Sequence, residues 1–276
     1  MLLTDVDTFT SMSQSNTTTS ILGIASGKGG VGKTTVAVNL ALALCAQNLR
    51  VGLLDADLGL ANSQILLGVN APLNVSHVFD GSKTVADVAV ETHHGLLLIP
   101  GASGNQSLAN ITSIEARSLI DQILESFPDL DVLLIDSAAG LSSANMSFLD
   151  TCCTRLLVMQ DEPASIADAY GLIKLESRKD RLNNLLLVPN RVSSEQAGKR
   201  LFDNMNLVRI KFLEEPVSYL ASVLQTDLFG QVTRKRETIF EHHPSSPATK
   251  NIAELAAVLM TKLDRINVPS PARERV

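Results

Sequence analysis

"SILGIASGKGGVGKTTVAVNL", residues 20–40, passes from an apolar run through a glycine-lysine cluster into an alanine- and valine-rich helical pattern. Within it Gly27, Gly32, Lys33 and Thr34 satisfy G-x-x-x-x-G-K-[ST], directly after a strand-like run and at the start of a helical one. Each residue type answers a physical need. Glycines let the backbone wrap a phosphate closely, and successive N–H groups with the helix N-terminus supply fixed positive potential. The phosphate cradle is therefore expected from Gly27, Lys28, Gly29, Gly30, Val31, Gly32, Lys33, Thr34 and Thr35. Lys33 would meet the β- and γ-phosphates, and the Thr34 hydroxyl would complete a Mg²⁺ shell.

Downstream, short apolar runs alternate with helical patterns, the signature of a parallel sheet covered on both faces. Strands are expected at Ser20–Ala25, Arg50–Leu54, Leu96–Pro100, Asp131–Ile135, Arg155–Met159, Leu185–Pro189 and Val217–Val223. Helices are expected at Lys33–Ala46, Ser113–Ser126, Ser165–Ser177, Ser194–Asn206, Leu228–Phe240 and Ala248–Ile266. The fold class is α/β: one P-loop NTPase domain, residues 20–266, with a mostly parallel β-sheet and helices on both faces. Residues 1–19 read as a flexible arm and 267–276 as a disordered tail.

Composition bounds the function. A chain of 276 residues with 45% hydrophobic content buries a full core. No apolar run reaches the roughly 18–20 residues of a membrane span, and the Ser/Thr-rich start with Asp5 and Asp7 is unlike a signal peptide, so a cytoplasmic location is expected. Cys45, Cys152 and Cys153 lack the spacing of a disulfide framework or a bound cluster and read as small buried hydrophobes. The formal charge of −6 makes nucleic acid an unfavourable partner for the surface as a whole.

Two further runs end in carboxylates: "VGLLDAD" at Asp55 and Asp57, and "DVLLID" at Asp136. A carboxylate at the C-terminal end of a strand faces the crevice where open α/β sheets bind ligands. Asp136 fits the Walker B role of holding Mg²⁺ through a water, and Gly140 would present its N–H near the γ-phosphate. Base preference follows from "VPNRVS": guanine sites use Asn-Lys-x-Asp, whereas Ser193 stands here in the place of the acid. ATP is the expected nucleotide, with Asn190 and Arg191 beside the adenine.

The lysine immediately after Gly27 resembles the deviant Walker A motif of the MinD/ParA group of ATPases. The resemblance implies that Lys28 reaches across an ATP-bound homodimer to the partner's phosphates, so two lysines serve two sites. It implies that Asp57 orients or deprotonates the attacking water, that Asp55 supports the metal's water shell, and that Glu162 lies near the partner's nucleotide. "DADLGLANSQILLGV", "NVSHVFDG", "IDSAAGLS", "DEPASIADAYGLIKL" and "HHPSSPA" narrow the likeness to the FlhG/FleN branch, which regulates flagellar number, over roughly residues 20–262. The implied partners are a flagellar placement GTPase, a rotor-ring component or a flagellar transcriptional activator. Two departures stand out: the first 20 residues lack the branch's Asp-Gln-Ala and Leu-Arg motif, and Leu224 replaces the usual proline near the adenine-side loop. Stimulation of the placement GTPase and adenine contacts from that loop are thereby put in question.

Ile252, Leu255, Leu259, Leu263 and Ile266 fall on one stripe of the last helix, about 248–266. That stripe either buries against the domain or rests reversibly on the inner face of the cell membrane. Basic clusters at Arg178–Arg181 and Arg234–Arg236 read as solvated faces. The pairs His93–His94 and His242–His243 read as surface turns, since adjacent rings are expected to point apart. A ParA-type partitioning ATPase is the alternative function and requires a basic dimer surface for DNA. A reductase carrying an iron-sulfur cluster is excluded by the cysteine spacing.

Overall fold

A computed structural model describes residues 19–59, 61–102, 110–213 and 217–267. The elements run β1 (Ser20–Ser26), α1 (Lys33–Cys45), β2 (Val51–Ala56), α2 (Ser63–Leu66), α3 (Val75–Phe79), α4 (Val85–Val88), β3 (Val90–Glu91) and β4 (Leu97–Ile99). They continue with α5 (Ser113–Ser126), β5 (Val132–Ala139), α6 (Ser143–Leu149), β6 (Thr154–Met159), α7 (Pro163–Ser177) and β7 (Leu185–Val192). The last are α8 (Glu195–Leu213), β8 (Ser218–Tyr219), β9 (Val223–Leu224), α9 (Leu228–Lys235), α10 (Ile239–His242) and α11 (Pro247–Asn267). The flexible-arm and tail assignments fall outside the described residues, apart from Thr19 and Asn267.

The strands join in the order β3-β4-β2-β5-β1-β6-β7-β8, with β9 also on β7. Only the β3–β4 pair is antiparallel among the described ladders. Because side chains alternate across a strand, β5 sends Val132 and Leu134 into one layer and Leu133 and Ile135 into the other. The first layer holds α1 and α11; α5, α7 and α8 cover the opposite face. Helix α1 lies between the sheet and α11, which explains why Val36 through Leu44 are buried all round. β1 is flanked by β5 and β6, and its crossover through α1 leaves towards β2 while that from β5 leaves towards β6. The loop after β1 thus opens at a topological switch point.

The structure revises several sequence expectations. The Leu228–Phe240 helix is two, because Arg236 turns left-handed at φ 59° and Thr238 then caps α10. The bonds Arg236 N→Thr233 O and Glu237 N→Val232 O close the end of α9. The Val217–Val223 strand is likewise divided into β8 and β9, where Asn251 of α11 accepts from Leu224 N at 2.9 Å and donates to Ser222 O at 3.0 Å. Cys153 is exposed and Cys45 half-buried, so only Cys152 is the buried hydrophobe expected of all three. Four residues of the stripe on α11, Ile252, Leu255, Leu259 and Leu263, are buried against the α1 layer and are not presented to lipid in this fold, while the side chain of Ile266 lies outside the described residues.

Candidate nucleotide site

The loop between β1 and α1 is shaped by two close approaches. Gly32, the N-cap of α1, has φ 88°, and a Cβ there would stand 2.5 Å from Asn190 Nδ2. A Cβ on Gly27 would lie 2.4 Å from the Asp168 backbone of α7. The end of the loop is anchored at the Val31 carbonyl, which accepts from Asn190 Nδ2 at 2.6 Å and from Gln160 Nε2 at 3.1 Å. These bonds tie the loop to the ends of β7 and β6. Gln160 escaped the sequence reading, although a polar residue directly after the apolar run Leu156–Met159 was the available signal.

Beneath the loop, Lys33 Nζ donates to Asp136 Oδ1 at 2.6 Å, with Lys33 7% exposed and Asp136 fully buried. Asp136 Oδ2 is buried with no hydrogen-bond partner. Burial pushes Asp136 above the usual carboxylate range, against the pull of Lys33 and the Thr34 hydroxyl. Asp55 sits beside it on β2, in register with Asp136 on β5. Burial first and the Asp136 charge second push Asp55 up to about 6, opposed by bonds from Ser63 and Asp57. Its carboxylate accepts from the Asn62 and Ser63 amides at 2.9 Å each and from Asp57 N at 3.2 Å. Asp57 is half-buried and its charge raises Asp136 further, so three carboxylates converge on one end of the loop.

Such a convergence costs free energy unless a cation shares it. The unpartnered Asp136 Oδ2 and the adjacent Asp55 offer hard oxygen donors of the kind Mg²⁺ selects, with Thr34 at the start of α1. The set fits the ion. Gly140 departs from expectation, because its N–H donates to Ser26 O at 2.9 Å and is not presented to a phosphate in this structure. Gly140 O is held by Asn145 Nδ2.

Lys28 lies at the rim. Its Nζ is 2.7 Å from Glu162 Oε2, with side chains 38% and 51% exposed. Glu162 is the N-cap of α7, followed by Pro163, and the lysine holds its carboxyl below the ordinary range. On the other side of Gly32 a cavity of about 660 Å³ is lined by Thr35, Asn190, Arg191, Leu224–Asp227, Phe229 and Arg234. It has room for a purine and ribose. The Asn190 side chain is already engaged with Val31 O and with Arg191 N at 2.9 Å, which makes it a wall and a loop anchor. Leu224, doubted as a proline replacement, is nevertheless part of the lining, as are Gln225, Thr226 and Phe229, which sequence reasoning did not single out. Among the basic clusters, Lys179 and Arg181 pair with Asp150 at 2.6 and 2.7 Å.

A parallel sheet, a glycine-lysine loop opening onto paired strand-end aspartates and an adjoining base-sized cavity define a P-loop nucleotide-binding protein. Residues 17–260 match the ParA family model, described as NUBPL iron-transfer P-loop NTPase. The antiactivator FleN of Pseudomonas aeruginosa is 37% identical over 229 residues, covering 83% of this chain and 82% of FleN. The flagellum site-determining protein YlxH of Helicobacter pylori is 30% identical over 250 residues, 89% of this chain and 83% of its own. In three dimensions the septum site-determining protein MinD of Pyrococcus horikoshii, complexed with Mg-ADP, superposes with a TM-score of 0.74 at 25% identity, covering 92% of this chain and all of that one. The chain belongs to the ParA/MinD family of P-loop ATPases.

Proposed function

We propose that this protein is an ATP-dependent dimerising switch that controls flagellar number and placement, with slow ATP hydrolysis as its timer. One observation carries the mechanism: two lysines of a single loop occupy different environments, Lys33 buried on Asp136 and Lys28 at the solvent-facing rim with Glu162. Lys33 neutralises the triphosphate from below, the loop amides and the α1 N-terminus fix its orientation, and Asp57 positions the attacking water. Thr34, Asp55 and Asp136 would hold Mg²⁺, which would supply charge neutralisation for the triphosphate. Lys28, released from Glu162, completes the site of a second subunit. The biological assignment rests on the names of the flagellar relatives. The net charge of −6 and the internal pairing of Lys179 and Arg181 argue against a DNA-partitioning role.

Light scattering of the purified chain with ATP and Mg²⁺ tests the mechanism. Wild type is expected to dimerise, Lys28→Ala to remain monomeric or fail to hydrolyse, and Asp57→Ala to persist as an ATP-bound dimer. A monomer in every state overturns the switch. Counting flagella by electron microscopy in a strain carrying Lys28→Ala tests the biological role, and an unchanged count and position would remove it.

A further inference from the structure

A second convergent set of side chains lies at the opposite end of the sheet, where β4 begins. The β3–β4 hairpin turns through Thr92–Gly95, closed by Gly95 N→Thr92 O at 2.9 Å, with Gly95 at φ 73°. Contrary to what adjacency suggested, the turn brings both imidazoles together, with ring centroids 4.1 Å apart and planes tilted by 41°. Both reach α10: His93 Nε2 is 3.3 Å and His94 Nε2 3.9 Å from Glu241 Oε2. The three ligand atoms all lie within 4.8 Å of one another. A tetrahedral zinc ion with donors about 2.0–2.1 Å away would separate those donors by roughly 3.4 Å. The His93–Glu241 edge, at 3.3 Å, already has that length, the His94–Glu241 edge is 3.9 Å and the His93–His94 edge lies within 4.8 Å, so two of the three edges would have to shorten as the rings turn onto an ion.

We propose that His93, His94 and Glu241 form a binding site for a borderline divalent transition-metal ion, best matched by Zn²⁺, that clips the β3–β4 hairpin to α10. Two imidazoles with one carboxylate suit zinc and leave a fourth position for water, whereas Mg²⁺ and Ca²⁺ take oxygen ligands. His242 Nε2 lies 3.6 Å from the same Glu241 oxygen and 3.9 Å from Glu237, as an outer partner for the carboxylate. Thr238 Oγ1, 3.3 Å from His94 Nε2, gives up that contact to the ion and continues to cap α10. The two walls are ordered independently: Ile239 anchors α10 in the core, and β3 is paired to β4. An ion here joins His94 to Glu241, 147 positions apart in sequence, and stabilises the folded chain.

Titration calorimetry of untagged, chelator-stripped full chain with ZnCl2, without nucleotide, is the test, paired with thermal melting. One zinc per chain at micromolar affinity or better and a Tm rise of a few degrees, reversed by EDTA, are expected. The His93→Ala/His94→Ala variant should lose at least tenfold in affinity, as should Glu241→Gln, which preserves side-chain shape. Cys153→Ser should bind as wild type, and any Tm rise with MgCl2 should be the same in wild type and in His93→Ala/His94→Ala. Absence of zinc binding, or full retention of it in the double histidine variant or in Glu241→Gln, overturns the proposal; circular dichroism verifies that each variant is folded.

Discussion

The two lysines of the loop after β1 stand five positions apart, and each ends on a carboxylate at nearly the same distance, 2.6 Å for Lys33 and 2.7 Å for Lys28. Water separates their meanings. The Lys33–Asp136 pair is sealed under the loop, where removing one partner strands a charge in a low-dielectric setting. The Lys28–Glu162 pair is open to solvent, where such contacts contribute little to stability and exchange readily. The inner pair is therefore suited to fixed recognition of a phosphate, and the outer one to exchange when a second surface arrives.

The sharpest break of this contrast is Lys33→Met, which should weaken ATP binding by about a hundredfold through loss of charge-assisted bonds to the phosphates, measured with a fluorescent ATP analogue. Asp136→Asn should come next: affinity for nucleotide in EDTA is retained to within a few fold, while the gain on adding Mg²⁺ disappears.

A third effect is pH. Asp55 is pushed up to about 6 in the fold against 3.8 ordinarily, so it binds a proton as pH falls through 6, and burial raises Asp136 in the same direction. Mg²⁺-dependent affinity should decline on acidification from pH 7.5 to 5.5. Without metal the sign reverses for stability. The folded chain holds the Asp55 proton more tightly than the unfolded chain, so this group's contribution is favourable at low pH and is lost as pH rises from 3.8 through about 6. Chemical denaturation across that range, with and without Mg²⁺, reads both. The smallest effect is Glu162→Gln, which should leave the melting temperature of the monomer nearly unchanged while altering ATP-induced dimerisation.

Much of the site was legible because its chemistry is local. Gly27–Thr34 is a contiguous loop, and Asp55 and Asp136 announce themselves as carboxylates closing apolar strands. The residues missed are those whose neighbours are remote in sequence. Gln160 meets Val31 across 129 positions, and Gln225, Thr226 and Phe229 join the cavity only because β9 pairs with β7. Adjacency misled at His93 and His94, since a tight turn can fold two neighbouring rings towards one remote carboxylate. The division of the Leu228–Phe240 helix was equally hidden. A left-handed arginine carries no sequence signal comparable to glycine, and Gly68 stands where a Cβ would meet the Arg236 carbonyl at 2.2 Å.

By itself the sequence determined the parallel sheet, the phosphate loop and the acids beside it, because alternation of apolar runs and the needs of a bound phosphate are written at short range. Only the tertiary structure decided which lysine is buried, that four residues of the stripe on α11 belong to the core, and where the cavity beside Gly32 opens. Those outcomes depend on how segments more than a hundred residues apart share or exclude water, which no local pattern encodes.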